Sequence, residues 1–171
     1  VTPFCSHFGV CGGCQWQMLP YEQQLVYKQK QVTDNLQRIG RISLPSISPI
    51  IGADATTGYR NKMEYTFATR KFIPADEFQQ MKAAGLSWES QPGAAGFHVR
   101  GFFDRVVEID TCYLQEEPTN QLRKAAARFA IEEGLPFYDI KQHQGWLRNM
   151  LVRNTTTGEL MVNLVFGYED A

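Results

Sequence analysis

Cysteine is the residue type in this sequence with the clearest chemical potential, and its spacing is uneven. Cys5, Cys11 and Cys14 lie within ten positions of one another, and the fourth cysteine, Cys112, follows almost a hundred residues later. Four thiolates can hold a structural zinc ion or an iron-sulfur cluster. Structural zinc sites usually combine two CxxC pairs, whereas three ligands with a distant fourth suit the larger iron-sulfur core. The spacing therefore favours an iron-sulfur site modestly and leaves zinc open.

Two other interpretations of the cysteines are weaker. Disulfides belong to oxidising compartments, and the N-terminus shows no basic stretch followed by an apolar one, the pattern of a secretory signal. We therefore expect a cytoplasmic protein with reduced thiols. Four unrelated buried thiols would be unusual, because three of the four are so closely spaced.

Gly12 and Gly13 separate the last two clustered cysteines. Glycine permits a positive φ and lets the backbone approach other groups closely, so we expect these residues to bring N–H donors toward an anionic cluster. His7 also lies among the clustered cysteines, and we interpret it as a loop residue rather than as a ligand.

The overall composition limits the partners that the protein can have. A chain of 171 residues is long enough for one domain with a sizeable core. With a net charge of −1 and a pI of about 6.3, any nucleic-acid binding must come from a local basic patch. No apolar run approaches the roughly 18 residues that cross a bilayer, so we expect no membrane span.

The spacing of apolar residues predicts the elements that must position the cysteines. Helical spacing predicts two longer helices, and alternation of apolar with mostly charged residues predicts a strand with Met63, Tyr65 and Phe67 on its core face. We expect an α+β fold, a mainly antiparallel sheet with the two longer helices packed on it and an N-terminal cysteine-rich loop. The predicted segments are helices over 21–39, 75–84 and 116–134, strands over 59–72, 97–103 and 105–110, and a hairpin over 146–166.

Taken together, the motifs resemble those of a known family, the S-adenosylmethionine-dependent RNA uracil-5-methyltransferases. The resemblance is to the branch with a 4Fe-4S cluster, of the type that acts on 23S ribosomal RNA. Its pattern is CxxFGxCGGCxxQ, YxxQLxxK on a helix, GYRxK/R opening a strand, and a GF…VVxIxxC segment. The matching residues are Cys5, Phe8, Gly9, Cys11, Gly12, Gly13, Cys14, Gln17, Tyr21, Gln24, Leu25, Lys28, Gly58, Tyr59, Arg60, Lys62, Gly96, Phe97, Val106, Val107, Ile109 and Cys112.

The resemblance implies an enzyme of three parts: an N-terminal RNA-binding barrel, a central domain with the cluster, and a C-terminal methyltransferase domain that binds S-adenosylmethionine. This chain matches the central part, so we expect residues 1–171 to be that domain, with 1–17 as the cluster-binding segment and the other two domains absent. The four cysteines would be the cluster ligands. The family's nucleophilic cysteine and general base lie in the later domain, so we expect no catalytic residue here and no methylation by the isolated chain.

An RNA partner also follows from the resemblance, with ribosomal RNA as the first expectation and tRNA as the second. Chemistry on a stacked base requires a grip on the flanking nucleotides. We expect Arg60, Lys62 and Arg70 to contact phosphates and Tyr59 to stack on a base. The alternative to these RNA contacts is the ordinary interpretation, in which aromatic residues on strands belong to the core and scattered arginines are solvated. We expect a monomer.

Two other functions are compatible with the same cysteines. One is a stand-alone electron carrier, which requires a reversible redox couple and a protein partner. The other is a zinc-stabilised RNA-binding module without enzymatic neighbours. Metal analysis together with visible absorbance separates these alternatives.

Overall fold

The computed structural model describes residues 1–87 and 92–167, which form helices and a single sheet. The helices are α1 (Tyr21–Asp34), which continues as a π-helix (Asn35–Ile39), α2 (Ala75–Ala83) and α3 (Thr119–Glu132). The strands are β1 (Lys62–Ala68), β2 (Ala94–His98), β3 (Val106–Glu108), β4 (Leu147–Asn154) and β5 (Leu160–Phe166). All strand pairs are antiparallel, in the order β3-β2-β1-β4-β5. The predicted α+β class with a mainly antiparallel sheet is therefore confirmed.

Strand β1 lies at the centre of the sheet, and its two faces differ as the alternation predicts. Met63, Tyr65 and Phe67 are 2%, 0% and 0% exposed, whereas Lys62 and Glu64 are exposed. The buried residues of β1 belong to one core cluster with residues of β2, β3 and β4. Burying such side chains contributes about 1.5–3 kcal/mol each.

Only one of the two longer helices packs on the sheet. Helix α3 contacts β2 and β4, and its inner face is buried at Asn120, Arg123 and Ala130. Helix α1, which the structure describes in full, contains no buried residue. The expected packing of both helices is therefore corrected for α1.

The segment that follows α1 runs back along it. The Tyr21 hydroxyl accepts from the Ala53 backbone N–H at 2.7 Å. The side chain of Gln29 accepts from the Ile50 N–H at 2.9 Å and donates to the Ser48 carbonyl at 3.1 Å. The periodicity of α1 thus identified a helix correctly, but its apolar side chains do not enter the core of the sheet.

The two strands expected over 97–103 and 105–110 are shorter than predicted. Strand β2 ends at His98 and β3 spans Val106–Glu108, so residues 99–105 form a turn. Gly101 takes a φ of +83° in this turn, a conformation that strands do not allow. Phe102 and Phe103 are consequently 47% and 66% exposed instead of lying in the sheet.

The predicted C-terminal hairpin is confirmed as β4 and β5, which pair from Leu147 with Phe166 to Asn154 with Leu160. Strand β5 is at the edge of the sheet and is exposed along its whole length. In the described ranges, no helix is both long and apolar enough to cross a membrane.

Candidate functional site

The four cysteines meet at one cavity. Cys5, Cys11, Cys14 and Cys112 all line it, together with mainly apolar side chains that include Phe97. Cys112 is 8% exposed, the other three are half-buried, and all four thiols are free of disulfides. Folding therefore brings the distant cysteine to the N-terminal cluster. Among the described residues, no three His, Cys, Asp or Glu side chains are grouped so as to hold a single metal ion.

The N-terminal segment is attached to the turn after β2. Cys11 forms an antiparallel bridge with Val99, and the Gly12 N–H donates to the His98 carbonyl at 3.0 Å. A Cβ atom on Gly12 would lie 2.8 Å from that carbonyl oxygen, so only glycine fits. Neither Gly12 nor Gly13 is among the described glycines with a positive φ. The close approach of the Gly12 backbone to the His98 carbonyl, rather than an unusual φ, explains why this position requires glycine.

Three further contacts hold the same segment in place. The His7 Nε2 accepts from the Asp110 N–H at 3.1 Å, next to the strand that leads to Cys112. The Arg100 guanidinium donates to the Cys14 carbonyl at 3.2 Å. The Gln17 side-chain oxygen accepts from the Cys5 N–H at 3.3 Å. His7 is thus a structural residue whose ring joins the N-terminal segment to the sheet.

Cys112 is fixed by a buried asparagine on α3 that sequence reasoning missed. The Cys112 N–H donates to Asn120 Oδ1 at 2.8 Å, and Asn120 Nδ2 donates to the Cys112 carbonyl at 3.1 Å. Asn120 is 4% exposed, and its Nδ2 also donates to Glu117 at 3.0 Å. The only feature of the sequence that could have indicated this contact is an asparagine in the first turn of a predicted helix soon after Cys112.

Burial dominates the electrostatics of the cavity. It raises the pKa of the Cys11 and Cys112 thiols above their ordinary value of 9.0, and the other cysteines raise it further. The Gly13 N–H donates to Cys11 Sγ at 3.4 Å and acts in the opposite direction. Without a metal, these two thiols are protonated at neutral pH, and metal binding would release their protons.

A buried cation lies close to the cavity. Arg123, on α3, is 2% exposed and donates to the carbonyls of Ala95 at 3.0 Å and Asp110 at 3.1 Å. Burial lowers the pKa of its guanidinium, and its positive charge offsets only a small part of the rise in the pKa of Cys112. Sequence reasoning treated this arginine only as part of a helix.

Three of the four residues expected to contact RNA lie together. Tyr59, Arg60 and Lys62 have exposed side chains, at or just before the start of β1. The Arg60 N–H donates to the Leu114 carbonyl at 2.8 Å, which places this group beside the four-cysteine cavity, because Leu114 lines it. Tyr59 is not a core residue, since it is 58% exposed.

The fourth, Arg70, lies beyond the other end of β1. A strand of this length spans roughly 20 Å, so Arg70 is not part of the group formed by Tyr59, Arg60 and Lys62. Its guanidinium pairs with the buried Asp104 at 3.5 Å. The structure therefore divides the expected RNA contacts between two places.

Comparison with known proteins relates this fold to RNA modification. No family model matches the chain. It is 47% identical over 96% of its length to an uncharacterized RNA methyltransferase of Bacteroides thetaiotaomicron, of which it covers 35%. An uncharacterized RNA methyltransferase of Porphyromonas gingivalis is 41% identical over 98% of this chain, which covers 36% of that protein.

A solved structure gives an independent comparison. It is the crystal structure of a Pyrococcus abyssi tRNA (uracil-54, C5)-methyltransferase in complex with S-adenosyl-L-homocysteine. The TM-score is 0.62 at 26% identity, covering 94% of this chain and 32% of that one. The chain thus spans about a third of the length of the proteins that it matches. By sequence and by fold, the chain is homologous to one part of proteins named as RNA methyltransferases.

Proposed function

We propose that this chain is the central domain of an S-adenosylmethionine-dependent RNA uracil-C5 methyltransferase, a cytoplasmic monomer that acts on ribosomal RNA or, as the second candidate, on tRNA. The relatives support RNA methylation as the reaction class. The archaeal neighbour supports uracil C5 as the target and S-adenosylmethionine as the methyl donor, because it is a tRNA uracil-C5 methyltransferase in complex with S-adenosyl-L-homocysteine, the spent cofactor. Matches that are about three times longer than this chain support the role of one domain among several.

The observation that carries the proposal is the meeting of Cys112 with the three N-terminal cysteines at one cavity. Four thiols in mainly apolar surroundings, with an N–H donor directed at Cys11, form a donor set that fits a 4Fe-4S cluster. A structural zinc ion also takes four thiolates, and metal analysis with visible absorbance distinguishes it from the cluster.

Cys5, Cys11, Cys14 and Cys112 would hold the cluster. When bound, it would supply a cross-link between the N-terminal segment and the chain that leaves β3. Methyl transfer to uracil needs no electron transfer, so we assign the site a structural role. The protein's own hydrogen bonds, such as Gly12 to His98, already align the segment, and the buried charge of Arg123 opposes part of the rise in the Cys112 pKa that burial causes.

This domain would help to hold RNA rather than carry out the reaction. Arg60 and Lys62 would bind phosphate groups, and the exposed ring of Tyr59 would stack on a base. Their position beside Leu114 ties them to the four-cysteine cavity, so ordering of that site would also order the RNA-contacting group. All four cysteines are assigned to the cluster, which leaves no cysteine in this chain to act as the nucleophile for methyl transfer.

The test is a methyl-transfer assay on the full-length protein. It would be incubated with S-adenosylmethionine that carries a labelled methyl group and with ribosomal RNA or tRNA transcripts, and the digested nucleosides would be separated. Label in 5-methyluridine is the expected result, with none formed by the present chain alone. Label on another base, or at another position of uridine, would contradict the proposal.

A further inference from the structure

A cleft of about 440 Å³ lies between the segment after β1, helix α2 and the residue before β3. This volume is within the range of sites that bind ligands of nucleotide size. Its lining combines three cations with apolar side chains: Arg70, Lys71, Arg105, Phe72, Ile73 and Phe78. These residues differ from those that line the four-cysteine cavity, so the cleft is a separate feature of the domain.

Exposed aromatic rings lie in this cleft and next to it. Phe78 is 41% exposed on α2, and Phe102 and Phe103 are 47% and 66% exposed on the turn 99–105. The Arg105 guanidinium lies 5.5 Å from the centroid of the Phe102 ring, so one side chain joins the turn to the cleft. The Lys141 Nζ lies 5.8 Å from the centroid of the Phe103 ring. Rings paired with cations at a surface are a common arrangement for stacking unpaired bases.

Acidic residues offset only part of the positive charge. Lys71 pairs with Glu108 at 2.7 Å, and Lys141 pairs with the buried Asp104 at 2.7 Å. Among the described residues, Arg105 forms no ion pair, and its guanidinium contacts the Phe102 ring instead. A cation at the rim is therefore available to an anionic ligand.

We propose that the cleft and the turn 99–105 together bind a single-stranded segment of the RNA substrate. Phe78 and Phe102 stack on unpaired bases, and Arg105 binds a phosphate group between them. An acidic peptide would use the cations but would leave the exposed rings unmatched, so the combination favours RNA. This inference rests on the proposed function, because it takes RNA as the substrate.

The experiment measures binding of a short, labelled, uridine-rich single-stranded RNA to the full-length protein by fluorescence anisotropy at several salt concentrations. Phe78→Ala and, as a second aromatic variant, Phe102→Ala are each expected to raise Kd at least about fivefold. Arg105→Gln is expected to weaken binding and to reduce the slope of log affinity against log salt by about 0.7. The matched controls are Phe129→Ala and Arg128→Gln on α3, whose side chains are also exposed, and both are expected to bind as the parent does.

Unchanged Kd and salt slope in all three cleft variants would overturn the inference. So would equal competition by a glutamate-rich peptide of the same charge as the RNA, since that result would identify an acidic protein as the partner. The methyl-transfer assay separates this inference from the proposed function. Formation of 5-methyluridine with unaltered binding in the variants refutes only the cleft, whereas weakened binding in a protein that methylates no uridine refutes only the proposed function.

Discussion

The side-chain amide of Asn120 binds both backbone polar groups of Cys112. It accepts from the N–H at 2.8 Å and donates to the carbonyl at 3.1 Å, and both residues are buried. Cys112 follows β3 outside any regular element, so its backbone has no strand partner to satisfy these groups. Asn120 therefore determines where the fourth thiol is placed.

Replacing Asn120 with alanine should destabilise the fold and the cysteine site together. Two buried backbone groups of Cys112 would lose their partners, and each costs about 1–3 kcal/mol when left unpaired. We expect a total loss of about 2–4 kcal/mol in the free energy of unfolding, measured by urea denaturation, with a lower iron content per chain. Gln121→Ala changes the exposed neighbouring residue and should leave both quantities unchanged. Full iron retention in Asn120→Ala would show that Cys112 is positioned by other contacts.

Removal of iron should release the N-terminal segment before the sheet unfolds. Residues 1–17 are attached by scattered hydrogen bonds such as Gly12 to His98, whereas β1 pairs with strands on both sides. Hydrogen exchange on chelator-treated protein should therefore show faster exchange over 1–17 and unchanged protection over Lys62–Ala68. Equal protection of 1–17 with and without iron would refute the structural role of the cluster.

The strand alternation predicted the central strand of the sheet, and the cysteine spacing predicted that the four thiols meet, because both patterns depend on side-chain type at given separations. Neither pattern could identify Asn120 as the residue that positions Cys112, since their contact depends on how α3 packs. The extended form expected for Phe102 was wrong because Gly101 turns the chain at a positive φ. Helical periodicity identified α1, but it carries no information on which surface covers a helix.

Stability at acid pH should depend on Asp104, which links the turn 99–105 to Lys141. The hydrogen bond from Lys141 at 2.7 Å lowers the pKa of Asp104 below its ordinary value of 3.8. Because the folded state favours the ionised form, the stabilisation is fully present above pH 3.8 and is lost as the pH falls through the lowered pKa.

Asp104→Asn tests this dependence. We expect it to lower the free energy of unfolding by about 1 kcal/mol at neutral pH, because Lys141 is partly exposed, with a smaller difference from the parent below pH 4. Denaturation curves of both proteins across this pH range provide the measurement. A difference that stays constant down to the most acid conditions would argue against the ion pair as its source.

The double variant Arg60→Ala, Lys62→Ala of the full-length protein should bind RNA more weakly and with a smaller salt dependence. Loss of two phosphate contacts reduces the salt slope by about 1.4 for single-stranded RNA. Lys124→Ala with Arg128→Ala makes the same charge change on the exposed face of α3 and should retain the parent slope. If both double variants behave alike, the group beside the four-cysteine cavity is not an RNA contact.

The most direct test of the central claim is a measurement of iron, acid-labile sulfide and zinc in anaerobically purified full-length protein and in its Cys112→Ser variant. The parent should contain about four irons and four sulfides per chain and absorb broadly at about 400 nm, and the variant should lose most of both. One zinc per chain without sulfide, or a Cys112→Ser protein with the parent's full iron and sulfide, would contradict the assignment of the four cysteines to one cluster.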